Sequence, residues 1–193
     1  VYRLSKQTPL RAGKGSYYEG GIREPLIIRW TTKFSPGKID TPVSHLDLYP
    51  TLLEITKTQL QGKVLDGVSI VPLLKKSRIP ERELYWHFPI YLQGGNKDSQ
   101  DPIFRTRPGS AIRDGDWKLI HYFENNDIEL YNLKYDPSEK HNLVKSYKTK
   151  SEELLAKLEV WRKRMNAPIP SELNPDFIEQ KPATVDPEDA SEE

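Results

Sequence analysis

The sequence predicts an α/β portion in residues 1–80, then a small α+β subdomain in residues 81–166, with a four-stranded antiparallel sheet packed on a C-terminal helix. Three observations predict it. The apolar run Leu26–Ile27–Ile28–Arg29–Trp30 after Pro25 is the pattern of a strand buried on both faces. From residue 83 the text changes to short strand-like runs separated by turn signals. One amphipathic stretch, 150–166, supplies the cover such a sheet needs on one face.

Residues 1–25 read as loop, rich in Gly, Ser and Pro with no sustained period. After the strand candidate, Ser35–Pro36–Gly37 marks a turn. Asp47 stands as an N-cap, with Pro50 in the first turn, where its missing N–H is tolerated. Leu48, Leu52 and Ile55 follow at helical spacing, so 47–57 is expected to be a short helix packed by one face. Asp66–Gly67 is a turn, and Val68 to Leu74 leads into a Lys/Arg-rich linker ending at Pro80, the expected subdomain boundary.

Glu83 to Phe88 is the first strand of the antiparallel part. Ser110–Arg113 and Trp117–Phe123 flank Asp114–Gly115, a type I′ hairpin signal because both residues tolerate positive φ. Ile128–Leu133 follows the turn cluster Asn125–Asn126–Asp127. Thr149 and Glu152 then form a capping-box pattern. Leu154, Leu158, Trp161 and Met165 make one apolar stripe, and Arg162, Lys163 and Arg164 sit at the negative end of the helix dipole. The tail, 167–193, carries Pro168, Pro170, Pro175, Pro182 and Pro187 and an acidic end, a composition that favours disorder or an extended strap.

Composition narrows the function. The chain has 193 residues, 36% hydrophobic, enough for one ordinary domain or parts of two with a real core. Its 29 basic and 28 acidic residues are intermixed and leave a net charge of +1, which argues against nucleic acid or a membrane surface as the main partner. With no cysteine there is no disulfide, thiolate metal site or cysteine nucleophile. No window approaches the roughly 18 apolar residues that span a bilayer. The opening VYRLSKQTPLR has no apolar core of a signal peptide and no Met, and reads as a fragment whose N-terminal part lies upstream.

The segment from Leu10 to Pro25, LRAGKGSYYEGGIREP, carries the candidate chemistry. A Walker loop is excluded because Thr8 stands at its first glycine and Gly15 follows Lys14; a kinase or Rossmann loop is excluded because Tyr18 stands at its third glycine. An anion site remains, since Gly13 and Gly15 let backbone approach a ligand and Lys14 offers a compact charge with three donors. A solvated surface lysine is the alternative.

This segment, a following PGK turn, HLDLYPTLLEI, LDGVSIVPLL, ELYWHFP, AIRDGDWKLI and ELYNLKYDPSEKHNL, in that order, resembles the C-terminal part of the formylglycine-dependent, arylsulfatase-like enzymes, most closely the bacterial ones. The resemblance implies the alkaline-phosphatase-like fold and hydrolysis of sulfate esters, with sulfated carbohydrates as the expected substrates. It implies a formylglycine made from a Cys/Ser-x-Pro-x-Arg motif and a calcium ion held by an Asp-rich shell. Neither motif nor shell is in this sequence, so both are expected upstream, in the N-terminal part of the same protein, and the fragment alone is expected to be inactive. It further implies a periplasmic or extracellular location. The alternative is a non-catalytic sulfated-glycan-binding or scaffold module, against which the two-face-buried run Leu26–Trp30 argues.

By the same resemblance Lys14 matches the lysine that contacts the substrate sulfate, and is the expected catalytic residue. His87, Tyr91 and His45 are the expected substrate-binding residues. His87 suits a satisfied strand-end role as well, and for His45 a role near the helix start away from the cleft is the favoured alternative. The stretch Gln93–Arg107, with Lys97, Arg105 and Arg107, is the expected determinant of substrate choice. Glu19 and Arg23 are expected to pair with each other and tie the glycine-rich loop to the next strand. Tyr17 and Tyr18 either line the cleft or pack beneath the loop, and Arg113 is expected to support an interdomain face. His121 reads as structural. Asp136, Glu139 and Asn142 are placed to accept from backbone donors, and a metal held by Asp136, Glu139 and His141 is the less favoured option.

Overall fold

The computed structural model describes residues 7–59, 62–95, 103–172 and 175–176. Lys97 and the tail from residue 177 lie outside the described residues. In chain order the elements are α1 (Glu19–Ile22), a 3-10 turn (His45–Asp47), α2 (Leu48–Thr56), α3 (Val71–Leu74), β1 (Glu83–Phe88), β2 (Leu92–Gln93), β3 (Phe104–Thr106), β4 (Gly109–Asp114), β5 (Trp117–Tyr122), β6 (Ile128–Asn132) and α4 (Lys148–Arg164). They divide into two compact units: Pro25–Leu84, and the described residues on either side of it. The glycine-rich segment therefore packs with the sheet, whereas the sequence groups it with residues up to 80.

The larger unit is a four-stranded sheet of order β1-β4-β5-β6 and a two-stranded ribbon, β2-β3. Asp114 pairs with Trp117, so the β4–β5 turn is Gly115–Asp116, one residue later than the sequence suggests. Only Gly115 of the two has positive φ (58°), and glycine at that first position suits a type II′ connection rather than the expected I′.

Alternation along the strands sorts the side chains onto two faces, and both faces are covered. On one, Ile112, Leu119 and Leu130 pack against Leu154 and Leu158 of α4, with Tyr85 stacked on Trp161 at 4.7 Å. On the other, Ala111, Ile120, Tyr122 and Tyr131 pack against Ala12, Tyr17 and Tyr18. The sequence anticipated only the helical cover. The second comes from a segment about a hundred residues away in the chain.

α4 starts at Lys148 after Tyr147 with no side-chain cap, so the expected Thr149 capping box is not formed. Its buried stripe runs Ser151, Leu154, Leu158, Arg162. Arg162, at the negative end of the helix dipole as expected, is nonetheless only 6% exposed, while Met165, expected in the apolar stripe, lies outside the core.

In the Pro25–Leu84 unit, Leu26–Trp30 is not a strand, and Ile27 is 88% exposed. A strand exists only where a neighbour satisfies its N–H and C=O groups, and among the described residues none pairs with this run. The expected turn at Ser35–Gly37 falls instead at Thr31–Lys33. Asp47 does not cap α2: Ser44 caps the preceding 3-10 turn, and the Asp47 side chain closes the box by accepting from the Ser44 N–H at 2.7 Å. Asp47 is fully buried, accepts from the Val68 N–H at 2.9 Å and pairs with Arg82. Burial works to raise its carboxyl pKa, but Arg82 and the two N–H donors outweigh it and hold the carboxyl below its ordinary value. Leu48 and Leu52 are exposed, and the buried residue of α2 is Thr51, whose hydroxyl accepts from the Ile70 N–H.

Candidate functional site

The glycine-rich segment folds back on itself. Ser16 donates from both N–H and Oγ to the Gly13 carbonyl, and the Gly20 N–H donates to the Arg11 carbonyl at 3.0 Å. The contact is so close that a Cβ on Gly20 would lie 2.3 Å from the Arg11 oxygen, and one on Gly21 2.4 Å from the Ser16 oxygen. These glycines are spacers that let two pieces of backbone touch. Within 11–20, Lys14 is the only exposed residue, and among the described residues no acid or acceptor engages its ammonium.

Three sets of contacts dock this segment on the sheet. Tyr17 donates its hydroxyl to the Gly109 carbonyl at 2.7 Å, and Tyr18 to the Glu129 carboxylate at 2.9 Å. The Arg11 guanidinium lies 3.8 Å over the Tyr18 ring. Burial raises the pKa of the Tyr18 hydroxyl, so it stays a donor. Both tyrosines pack beneath the loop, the second of the two roles the sequence left open. Third, Glu19, expected to pair with Arg23, reaches inward instead: Lys118 Nζ donates to its Oε1 at 3.0 Å and Arg113 Nη1 approaches Oε2 at 3.4 Å. Arg23 is exposed. The buried carboxylate finds two cations to pair with, buried Lys118 on β5 and half-buried Arg113 on β4, which offset the cost of taking it out of water. Arg113 accordingly faces the loop from within its own unit.

Glu139 completes the cluster. Its Oε2 accepts from the Glu19 N–H at 2.6 Å, and Oε1 lies 2.8 Å from Lys118 Nζ as an ion pair not aligned as a hydrogen bond. Burial pushes its carboxyl pKa up against the pull of Lys118. Asp136 accepts from the His141 N–H and Asn142 from the Leu130 N–H, so all three of Asp136, Glu139 and Asn142 bond backbone donors. Glu139 faces Lys118 while His141 is exposed, so these residues do not converge as a metal shell. Among the described residues no group of three His, Asp or Glu is arranged to hold a metal.

The ribbon flanks Lys14. A Cβ on Gly15 (φ 89°) would meet Leu92 at 2.4 Å and the Arg105 side chain at 3.3 Å. Arg105 is steadied by donating from Nε to the Gly94 carbonyl at 3.1 Å, while Arg107 pairs with Glu124 at 2.8 Å. Tyr91, 43% exposed, tilts against Phe104 of the same ribbon at 4.8 Å.

Within the unit that holds Lys14, the structure does not bring His87 to it. His87 is on the α4 face, opposite the glycine-rich segment. Its Nδ1 lies 2.8 Å from Ser110 Oγ and its Nε2 2.9 Å from the Pro168 carbonyl; the carbonyl can only accept, so Nε2 carries the proton. Burial lowers its pKa. That placement supports a strand-end tie. His45 is exposed in the Pro25–Leu84 unit and lines a shallow groove of about 290 Å³ with Leu46, Tyr49, Val64 and Asp66. His121 is structural, as expected. The sequence reading missed Lys118: a lysine in a strand reads as a solvent-facing residue, and only the Glu19 five residues after Lys14 hints at a buried partner.

The family model described as N-sulphoglucosamine sulphohydrolase, C-terminal, matches residues 13–166. A protein named Sulfatase from Formosa agariphila is 35% identical over 177 residues, which are 85% of this chain and 31% of that protein. The crystal structure of Ps i-CgsB is similar at TM-score 0.65 and 30% identity, covering 81% of this chain and 32% of that one. The structure of Ps i-CgsB in complex with k-i-k-neocarrahexaose is similar at TM-score 0.64 and 28% identity, with the same coverage. The chain thus spans about a third of the length of these relatives. The likeness to the C-terminal part of sulfatases and the alkaline-phosphatase-like fold class expected from the sequence are both borne out.

Proposed function

We propose, from the premise that this chain belongs to the N-sulphoglucosamine sulphohydrolase C-terminal family of sulfatases, that it is the C-terminal segment of an enzyme that hydrolyses sulfate esters of carbohydrates. The segment supplies Lys14 to the site. The observation that carries this reading is the isolation of Lys14: within residues 11–20 it is a single exposed cation on a loop whose other residues are buried or half-buried, glycine-spaced and bonded to the sheet. A solvated surface lysine needs no such support. A cation held at a fixed place before substrate arrives offsets charge on the nonbridging sulfate oxygens, and on the leaving oxygen as the S–O bond breaks, without reorganising.

The β2–β3 ribbon beside Gly15, with Tyr91 and Arg105, lines the sugar side in this reading; an aromatic face and a few hydrogen-bonding groups suit a saccharide. The complex of Ps i-CgsB with k-i-k-neocarrahexaose supports a saccharide substrate. The formylglycine and the calcium ligands belong to an N-terminal part of the same protein, and residues 25–80 to the end of its large α/β domain. The exposed apolar run Leu26–Trp30 is then a strand of that domain's sheet. An exported location, periplasmic or extracellular, belongs to the same proposal. No helix among the described residues is long and apolar enough to cross a membrane.

The test is Lys14→Ala in the full-length protein. Turnover of a sulfate ester is expected to fall by about 10²–10³, the usual effect of removing one transition-state donor. Thermal stability is expected to stay at the parent value, because the side chain is exposed. Parent-level turnover in a folded, matured variant overturns the assignment.

A further inference from the structure

We propose that Lys118 is a positioning residue for Lys14, acting through Glu19; this inference rests on the sulfate-contacting reading of Lys14. Lys118 is 0% exposed and sits in β5 on the face covered by the glycine-rich segment, beside Ile120 and Tyr122. Its ammonium is within 3.0 Å of Glu19 Oε1 and 2.8 Å of Glu139 Oε1. A lysine buried with two carboxylates is an expensive arrangement to maintain for packing alone, since apolar residues of the same volume do as well or better. What it provides is a fixed location for Glu19.

The path from Glu19 to Lys14 is short and stiff. Glu19 is held at both ends, by its side chain to Lys118 and Arg113 and by its N–H to Glu139. The next residue, Gly20, lies with its N–H on the Arg11 carbonyl, and Gly21 lies against the backbone of Gly13 and Ser16. Moving Glu19 therefore moves residues 11–16. Lys14 is inside that stretch, and among the described residues no hydrogen bond or ion pair of its own side chain would hold it in place once the backbone shifts. A misplacement of about 1 Å at such a group suffices to lose on the order of 10²-fold in rate.

The test is a double-mutant cycle in the full-length enzyme, with Lys118→Met and Glu19→Gln each made with Lys14 and with Lys14→Ala, and kcat and KM measured for one sulfate ester. Lys118→Met leaves buried Glu139 without its cation and Glu19 with Arg113 alone, and is able to prevent folding. Glu19→Gln keeps the side chain's shape and removes the ion pair, so circular dichroism and thermal unfolding on that variant keep the test usable. If Lys118 acts through Lys14, each variant lowers kcat about tenfold or more with Lys14 present and by less than about twofold with Lys14→Ala, because coupled residues are not additive. Equal losses in both backgrounds, or parent kcat in a folded Glu19→Gln enzyme, overturn the proposal and leave the cluster as a stabilising one. Parent turnover in Lys14→Ala alone overturns the reading of Lys14, and with it this inference, and is distinguishable from the other outcomes in the same data.

Discussion

Arg162 donates from Nη1 to His121 Nδ1 at 2.9 Å, a cation set against an imidazole inside the unit. The other ring nitrogen, Nε2, bonds Asn126 Oδ1 at 2.5 Å, which assigns the proton to Nε2 and keeps the ring neutral. Burial is the largest influence lowering the His121 pKa, and Arg162 adds to it against the pull of Asn126. Below the unfolded value of about 6.5, the unfolded chain takes a proton that the folded chain refuses. Stability conferred by the neutral ring is thus full above about pH 6.5 and falls as pH drops toward the folded pKa. Thermal midpoints measured from pH 7.5 to 5.5 are expected to fall more steeply for the parent than for His121→Gln, whose amide satisfies both partners without titrating. Parallel curves would refute the account.

Leu158 is fully buried between α4 and the sheet, with Leu154, Ile112, Leu119 and Leu130. Leu158→Ala is expected to destabilise the chain by about 2–5 kcal/mol, as other buried leucine truncations do. Urea denaturation of both proteins checks this, and a loss no larger than that of Val160→Ala on the exposed side would place the core elsewhere.

Gly20→Ala tests the folded-back loop. The new methyl meets the Arg11 and Ala12 carbonyls, which are backbone and cannot swing aside. A loss of about 1–3 kcal/mol is expected from overpacking. Gly37→Ala, where nothing lies within 4 Å of the new Cβ, is the control and is expected to be near neutral in the same melts.

Arg105 and Arg107 separate by their partners. Arg107 is committed to Glu124, whereas Arg105 lies beside Gly15 with its Nε on Gly94. In the proposed enzyme, Arg105→Ala is expected to raise KM about tenfold for a disulfated saccharide, consistent with loss of one charge-assisted bond, and to leave kcat near the parent value. KM for the monosulfated counterpart is expected to change little. Equal effects on both would assign Arg105 to the shape of the ribbon.

Much of the candidate site was legible in the sequence. LRAGKGSYYEGGIREP marks Lys14 as the cation to examine, because glycines on both sides announce close backbone approach. Glu19 was visible as an ion-pair residue but its partner was not. Arg23, four residues away, is the local choice, and Lys118 lies 99 residues away on another element. His87 illustrates the same limit. Its position at a strand end before Pro89 is plain, but which sheet face it occupies depends on pairing with β4.

The sequence by itself determined the elements whose signals are local: four strands bounded by Gly, Asn and Asp turns, one long helix with leucines at four-residue spacing, and the glycine spacers around Lys14. Those follow from backbone sterics and side-chain periodicity within a few residues. Tertiary structure alone decided that the sheet is covered on both faces, that Lys118 and Glu139 are buried, and that Arg162 turns inward to His121. The reason is that burial is a property of what arrives on the other side. Period-two alternation tells which residues share a face, but whether that face meets water or a distant loop is set by contacts the local text does not contain.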